Sequence, residues 1–145
     1  MLFIKFGGSV LTDKNAPESL ATDTLDTVAQ QIATIRRAQP DLRLLIGHGG
    51  GSFGHYWAER YQTAQGIIND QSWWGVVRVA DAMARLNRAV VHALIAANVP
   101  ALGVQPLASA RSAGRMITSI GHEQIATLLK HGIVPVVYGD VVLDD

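Results

Sequence analysis

The hydrophobic residues of this chain fall into short continuous runs, separated by longer stretches of helical spacing. The apolar runs are residues 2–6, 42–46 and 133–138, and residues 100–105 form a further strand-like stretch. A run that is apolar at nearly every position, rather than at every second one, is typical of a strand covered on both faces. We therefore predict four strands and expect the three apolar runs to be buried.

Between these strands, apolar residues recur every three or four positions, which is the period of an amphipathic helix. The first helix is predicted from Thr22 or Asp23, either a possible N-cap, to a point before Pro40. The other predicted helices begin near residue 56, cover residues 76–97, and run from His122 to Lys130 with Gly132 as C-cap. The predicted core face of the long helix comprises Val79, Met83, Leu86, Val90, Leu94 and Ala97. Residues 111–116 are rich in turn formers and predict a small hairpin.

Strands that alternate with helices predict an α/β fold, with a mainly parallel sheet and helices on both faces. Ligands of such sheets bind beyond the carboxyl ends of the strands. Three glycine-bearing turns follow predicted strands, at Gly7-Gly8, at residues 47–54 and at Gly139-Asp140. We therefore expect these three turns to form the functional site.

Glycine lets the backbone approach a ligand closely, and successive N–H groups at a helix start can bind an anion. One such turn is as consistent with packing as with phosphate binding, but two turns after parallel strands favour phosphate. Neither turn ends in the GK[ST] of a Walker loop, and neither matches the GxGxxG dinucleotide pattern.

Basic side chains accompany the first two turns, with Lys5 and Lys14 beside one and His55 after the other. Phosphoryl transfer needs positive charge around the moving oxygens. The residues alone leave other roles open, because Lys5 could extend past a sheet edge into solvent, Lys14 could be a solvated surface charge, and His55 could satisfy the helix start. Asp140 could contact substrate or cap its own turn, and no acid–base pair is evident.

Composition narrows the class of protein further. The 145 residues carry 12 Lys and Arg against 12 Asp and Glu, and no cysteine. This balance favours neither nucleic acid nor an anionic membrane as a partner, and thiolate catalysis and disulfides are excluded. The N-terminal apolar run is too short for a signal peptide, and no metal-ligand spacing emerges. We expect a cytoplasmic protein without a metal site made of side chains.

Three segments resemble the amino acid kinase superfamily, and within it the isopentenyl phosphate kinase family. They are KFGGSVLTDK, GHGGGSFGH and PVVYGDVVLDD, in this order. The resemblance implies an αβα sandwich, and ATP-dependent phosphorylation of isopentenyl phosphate to the diphosphate with Mg²⁺. Fosfomycin-resistance kinases resemble this branch most closely among the competing families, and a non-catalytic phosphate-binding remnant is a third hypothesis.

The resemblance also implies roles for individual residues. The ATP phosphates would be lined by Lys5, Gly7, Gly8, Ser9 and Gly50. The backbone of Gly49, Gly50 and Gly54 would face the phosphates near the transfer point, His55 would bind the acceptor phosphate, and Lys14 would stabilise the transferring group. Asp140 would lie near the substrate, and the prenyl tail would be bordered by Trp73, Trp74, Val77 and Met83. Two adjacent tryptophans cannot both face inward from a helix, so we expect one of them to be exposed.

The same resemblance implies how the domain is organised. Residues 1–145 would form the N-terminal, acceptor-binding part of an amino acid kinase domain, and the C-terminal nucleotide-binding part would be absent. We also expect a homodimer, because members of the superfamily often pair through helices of this half.

Overall fold

The computed structural model describes residues 1–13 and 15–144 and has the alternating order of strands and helices predicted above. The strands are β1 Leu2–Phe6, β2 Thr12–Asp13, β3 Ser19–Leu20, β4 Leu44–His48, β5 Ala101–Gly103, β6 Arg111–Ala113, β7 Met116–Ser119 and β8 Val134–Tyr138. The helices are α1 Gly8–Leu11, α2 Thr22–Ala38, α3 Gly51–Arg60, α4 Asp70–Ala96 and α5 His122–Lys130. Among the described residues, no helix combines the length and the apolar character needed to cross a bilayer.

The central sheet has four strands in the order β1-β4-β8-β5, and each neighbouring pair is parallel. Two small antiparallel hairpins, β2-β3 and β6-β7, lie outside this sheet. The predicted fold class is confirmed, and the predicted hairpin over residues 111–116 is present and extends to Ser119.

The main core lies between the sheet and helices α2 and α4. It joins Leu25, Ala29 and Ile32 of α2 to Val90 and Leu94 of α4, over apolar residues of β4 and β8. All six residues predicted for the core face of the long helix are buried. Helix α5 connects β5 back to its neighbour β8, so a right-handed crossover places it on the opposite face.

Two helices begin earlier than the hydrophobic pattern predicts. Helix α4 starts at Asp70 rather than near residue 76, because Asn69 and Ser72 form a capping box, with Asn69 Oδ1 accepting from Ser72 N at 3.1 Å. Helix α3 starts at Gly51 rather than near residue 56, so the second half of the glycine segment, residues 51–54, is helical. Strand β4 runs to His48, two residues beyond the predicted end at residue 46.

Candidate phosphate-binding site

The three turns predicted to form the site lie side by side. Strands β1, β4 and β8 are neighbours, so their carboxyl ends reach the same edge of the sheet. The Gly49 N–H donates to the Phe6 carbonyl and the Gly139 N–H donates to the His48 carbonyl, each at 3.0 Å. The ladder of hydrogen bonds therefore continues past the strands and fixes the turns to one another.

The first two turns are in direct backbone contact. A Cβ built on Gly8 would lie 2.5 Å from Gly51 Cα, and one built on Gly49 would lie 3.0 Å from Gly8 N. Gly51 has a positive φ of 48° and packs against Gly8 and the Thr12 hydroxyl. Real Cβ atoms do not approach backbone this closely, so glycine is required at Gly8 and Gly51.

This contact leaves backbone donors at the start of α3. The Gly50 carbonyl accepts from both Phe53 N and Gly54 N at 3.1 Å. Thr12 Oγ1 accepts from Ser52 N at 3.0 Å. The N–H groups of Gly8 and Gly50 donate to no residue in the described part of the chain. Free N–H groups at the positive end of a helix dipole form an environment suited to an anion.

A cavity of about 920 Å³ adjoins Gly50. Gly50, Gly54 and His55 form one wall, and most of the remaining wall is apolar. His55 is exposed on the second turn of α3, and it also borders a smaller groove of about 490 Å³ that Ser9 lines. The structure therefore brings the second glycine turn, His55 and the region of the first turn together.

The structure brings two of the four residues predicted for the prenyl pocket to the large cavity. Trp73, which is 50% exposed, and the buried Met83 line it, whereas Trp74 and Val77 do not. Successive helical residues are about 100° apart, so when Trp73 faces the cavity Trp74 faces away. The pattern also missed Val76, which lines the cavity because it lies seven residues, or about two turns, before Met83.

The predicted burial of β1 is wrong, because Leu2 and Phe3 are exposed and Lys5 is exposed as well. Successive side chains of a strand point to opposite faces of the sheet. Ile4 and Phe6 pack on the main core, so the Lys5 side chain lies on the opposite face, where it is exposed. Strand β1 is an edge strand of the described sheet, which explains this exposure. Gly7 begins the first turn at the end of this strand, and the prediction for Lys14 falls outside the described residues.

Asp140 caps its own turn and also lines the large cavity. Its carboxylate accepts from Val141 N at 2.9 Å and from Leu107 N at 3.3 Å. Burial raises the pKa of Asp140, and these N–H donors oppose the rise. The turn-capping role left open by the sequence is thus present in the structure.

A carboxylate that sequence reasoning missed holds the hairpin β2-β3 against helices α3 and α4. Glu18 accepts two hydrogen bonds from the Arg85 guanidinium, at 2.9 and 2.8 Å, and one from Trp57 Nε1. Arg85 is the main reason that the pKa of Glu18 is lowered. Glu18 N also donates to the Ser52 carbonyl at 3.2 Å. These partners are far apart in the sequence, so no local pattern indicates them.

Comparison with known proteins extends this description. The model of the amino acid kinase family matches residues 1–145. The isopentenyl phosphate kinase of Methanocaldococcus jannaschii is 32% identical over 154 residues, covering 100% of this chain and 57% of that protein. The isopentenyl phosphate kinase of Methanothermobacter thermautotrophicus is 38% identical over 149 residues, covering 99% of this chain and 54% of that protein.

A solved structure agrees with these relatives. A crystal structure of isopentenyl phosphate kinase superposes with a TM-score of 0.89 at 37% identity, covering 99% of this chain and 58% of its own. The chain therefore spans little more than half the length of the relatives that it matches.

Proposed function

The chain belongs to the amino acid kinase family, and from this premise we propose that residues 1–145 form the acceptor-binding part of an ATP-dependent isopentenyl phosphate kinase. The reaction is transfer of the γ-phosphoryl group of ATP to a phosphate oxygen of isopentenyl phosphate, which yields isopentenyl diphosphate. In this proposal the nucleotide-binding part lies outside these residues, in agreement with the greater length of the relatives.

One observation carries the proposal, namely the backbone contact between Gly8 and Gly51 next to Gly50, which lines a large, mainly apolar cavity. The contact places the unpaired N–H groups of Gly8 and Gly50 on neighbouring turns. Two phosphate-bearing substrates that exchange a phosphoryl group must be held close together and in line. Neighbouring donor turns meet that requirement, and the cavity offers room for an apolar tail.

The proposed roles of the side chains follow from their positions. His55, between the cavity and the smaller groove, donates a hydrogen bond to the acceptor phosphate. Gly49, Gly50 and Gly54 bring backbone to the phosphates near the transfer point, and Asp140 borders the substrate from the third turn. Gly7, Gly8 and Ser9 form the proposed contact with the ATP phosphates, together with Lys5 and Gly50. Lys14 is proposed to stabilise the transferring group.

The chemistry needs no general base, because the nucleophile is already an anionic phosphate oxygen. Hydrogen-bond donors that face the developing charge are the main contribution that the protein can make. In the described residues, no three His, Asp or Glu side chains gather as a metal site. We therefore propose that Mg²⁺ is held chiefly by phosphate oxygens, as is common for this ion.

The cavity wall favours a prenyl acceptor over a compact polar one such as fosfomycin. Trp73, Val76 and Met83 present apolar surface to the cavity, and Gly54 lets the Met83 thioether approach the glycine turn closely. A five-carbon tail would bury its surface there at about 25 cal/mol per Å². We further propose that the protein acts in the cytoplasm and forms a homodimer. Sedimentation at several protein concentrations would test the dimer.

Calorimetric titration with isopentenyl phosphate, and separately with magnesium ATP, tests this function. We expect binding of isopentenyl phosphate, and isopentenyl diphosphate as product when the nucleotide-binding part is supplied. His55→Ala should weaken acceptor binding by about 10- to 100-fold, since it removes a hydrogen bond to a charged group. His92→Ala is the matched control, because His92 is exposed on α4 away from the cavity.

A second pair of variants tests the apolar wall. Trp73→Ala should weaken isopentenyl phosphate binding by about tenfold and leave inorganic phosphate binding unchanged. Trp74→Ala removes a neighbouring tryptophan of similar exposure outside the cavity and should change neither. Equal losses in the two variants would contradict the prenyl assignment. Acceptor binding without turnover by the completed protein would identify a phosphate-binding remnant instead.

A further inference from the structure

His48 is a buried histidine for which the proposed reaction has no role. It ends strand β4 immediately before the glycine turn and is only 3% exposed. Its ring stacks on Tyr138, with centroids 5.6 Å apart and an interplanar angle of 12°. Nδ1 lies 3.0 Å from the Gly49 carbonyl oxygen, and Nε2 lies 3.1 Å from Nδ2 of Asn87.

These two contacts define the protonation of the ring. An amide nitrogen can only donate, so His48 Nε2 must accept from Asn87 Nδ2. The other ring nitrogen then carries the proton and donates to the Gly49 carbonyl. The Val136 carbonyl accepts a long hydrogen bond of 3.5 Å from the same Nδ2, which agrees with this orientation of the Asn87 amide. Burial lowers the pKa of His48, which agrees with a neutral ring.

The hydrogen bond to Gly49 has a consequence for the next residue. In a trans peptide the carbonyl and the following N–H point in opposite directions, and the described chain has no cis peptide. The Gly49 carbonyl faces the buried His48 ring, so the Gly50 N–H faces away from it. Gly50 lines the large cavity, and its N–H has no partner among the described residues.

We infer that His48 is a positioning residue, whose Nδ1–H fixes the Gly49–Gly50 peptide so that the Gly50 N–H is presented to phosphate in the cavity. This inference rests on the proposed function for the identity of the anion. Asn87 supports it by holding His48 in the required tautomer. His48 itself touches no substrate.

Two substitutions separate positioning from packing. His48→Phe keeps a ring that can stack on Tyr138 but removes the donor. His48→Asn loses the ring but places an amide donor at the position of Nδ1. Positioning predicts that His48→Phe binds isopentenyl phosphate about tenfold more weakly than the natural chain, and that His48→Asn binds more tightly than His48→Phe. A purely structural role predicts the reverse order, because the smaller side chain leaves a cavity.

NMR of the ligand-free chain provides a readout that does not depend on the substrate. We expect the neutral His48 ring to carry its proton on Nδ1. We also expect the orientation of the Gly50 N–H, measured by residual dipolar couplings, to change in His48→Phe but not in His48→Asn. A proton on Nε2, or an unchanged vector in His48→Phe, would overturn the inference. If these NMR results hold but the natural chain binds no isopentenyl phosphate, the proposed function fails while the positioning stands. If the chain binds and His48→Phe binds equally well, the inference fails while the function stands.

Discussion

Replacement of Gly8 by alanine tests the backbone contact on which the candidate site depends. The added Cβ would lie 2.5 Å from Gly51 Cα and closer still to its nitrogen. Ordinary van der Waals contact begins near 3.4 Å, so the two turns would have to separate by about 1 Å or more. Overpacking of this kind typically costs about 1–3 kcal/mol in the free energy of unfolding. A displacement of that size can also reduce catalysis by about 100-fold.

Gly7→Ala is the matched control for stability. It is the same substitution one residue earlier, at an extended backbone with φ of −61°. A Cβ there would meet nothing closer than 3.9 Å, so it introduces no clash. Denaturant unfolding of both variants gives the comparison directly, and calorimetry with isopentenyl phosphate reports whether the donors have moved apart.

We expect Gly8→Ala to be destabilised by about 1–3 kcal/mol relative to Gly7→Ala and to bind the acceptor at least tenfold more weakly. If both variants unfold at the same denaturant concentration, the two turns are not in contact, and the main argument for the site is wrong. If Gly8→Ala is destabilised but binds normally, the contact serves folding alone.

Two further predictions concern the elements around the site. Glu18→Gln should change the free energy of unfolding by no more than about 1 kcal/mol, because its partner Arg85 is half exposed. The same substitution should speed hydrogen exchange of the backbone N–H of residue 18, which donates to the Ser52 carbonyl. Asp81→Asn removes only the second partner of Arg85 and is the control; equal exchange in both variants would mean that Glu18 does not hold the hairpin. Because burial lowers the pKa of His48 below 6.5, the unfolded chain binds more protons, so stability should fall as pH drops below 6.5 towards the lower folded pKa. His48→Asn should reduce the slope in that pH window, and an unchanged slope would show that His48 titrates normally.

The elements predicted best from sequence are those whose limits are set locally. Strand β1 and helix α5 have the predicted bounds. Helix α2 begins at Thr22, but its N-cap is Ala21, so the prediction of Thr22 or Asp23 as N-cap is wrong. Helix α3 was predicted five residues short because glycine is a poor helix former. The close contact of Gly51 with Gly8 at the start of this helix joins segments that are distant in the sequence, so only the folded chain reveals it.

The sequence predicted where the glycine turns of the candidate site lie, but not all of the contacts around them. The parallel strands predicted that the three turns lie at one edge of the sheet. Trp73 and Met83 line the cavity beside these turns, and their role in binding a prenyl tail stays a prediction. Trp74 and Val77 do not line the cavity. Val77 lies two residues before Val79 and therefore off the predicted inward face, and Trp74 precedes the predicted start of the helix near residue 76. The partners of Glu18 depend on tertiary contacts between distant segments, which hydrophobic spacing does not encode.

The length of α4 has a consequence for how the lining of the large cavity could vary. The 27-residue helix spans about 40 Å. Its first turns carry Trp73 and Val76 at the cavity, Asn87 lies behind the glycine turn, and Val90 and Leu94 complete the main core. Trp73 and Val76 lie three or more turns before Asn87, so they can be exchanged without altering the contacts of Asn87 or the main core. The same helix thus carries cavity-lining side chains at its exposed start and, farther along, buried side chains on which the fold depends.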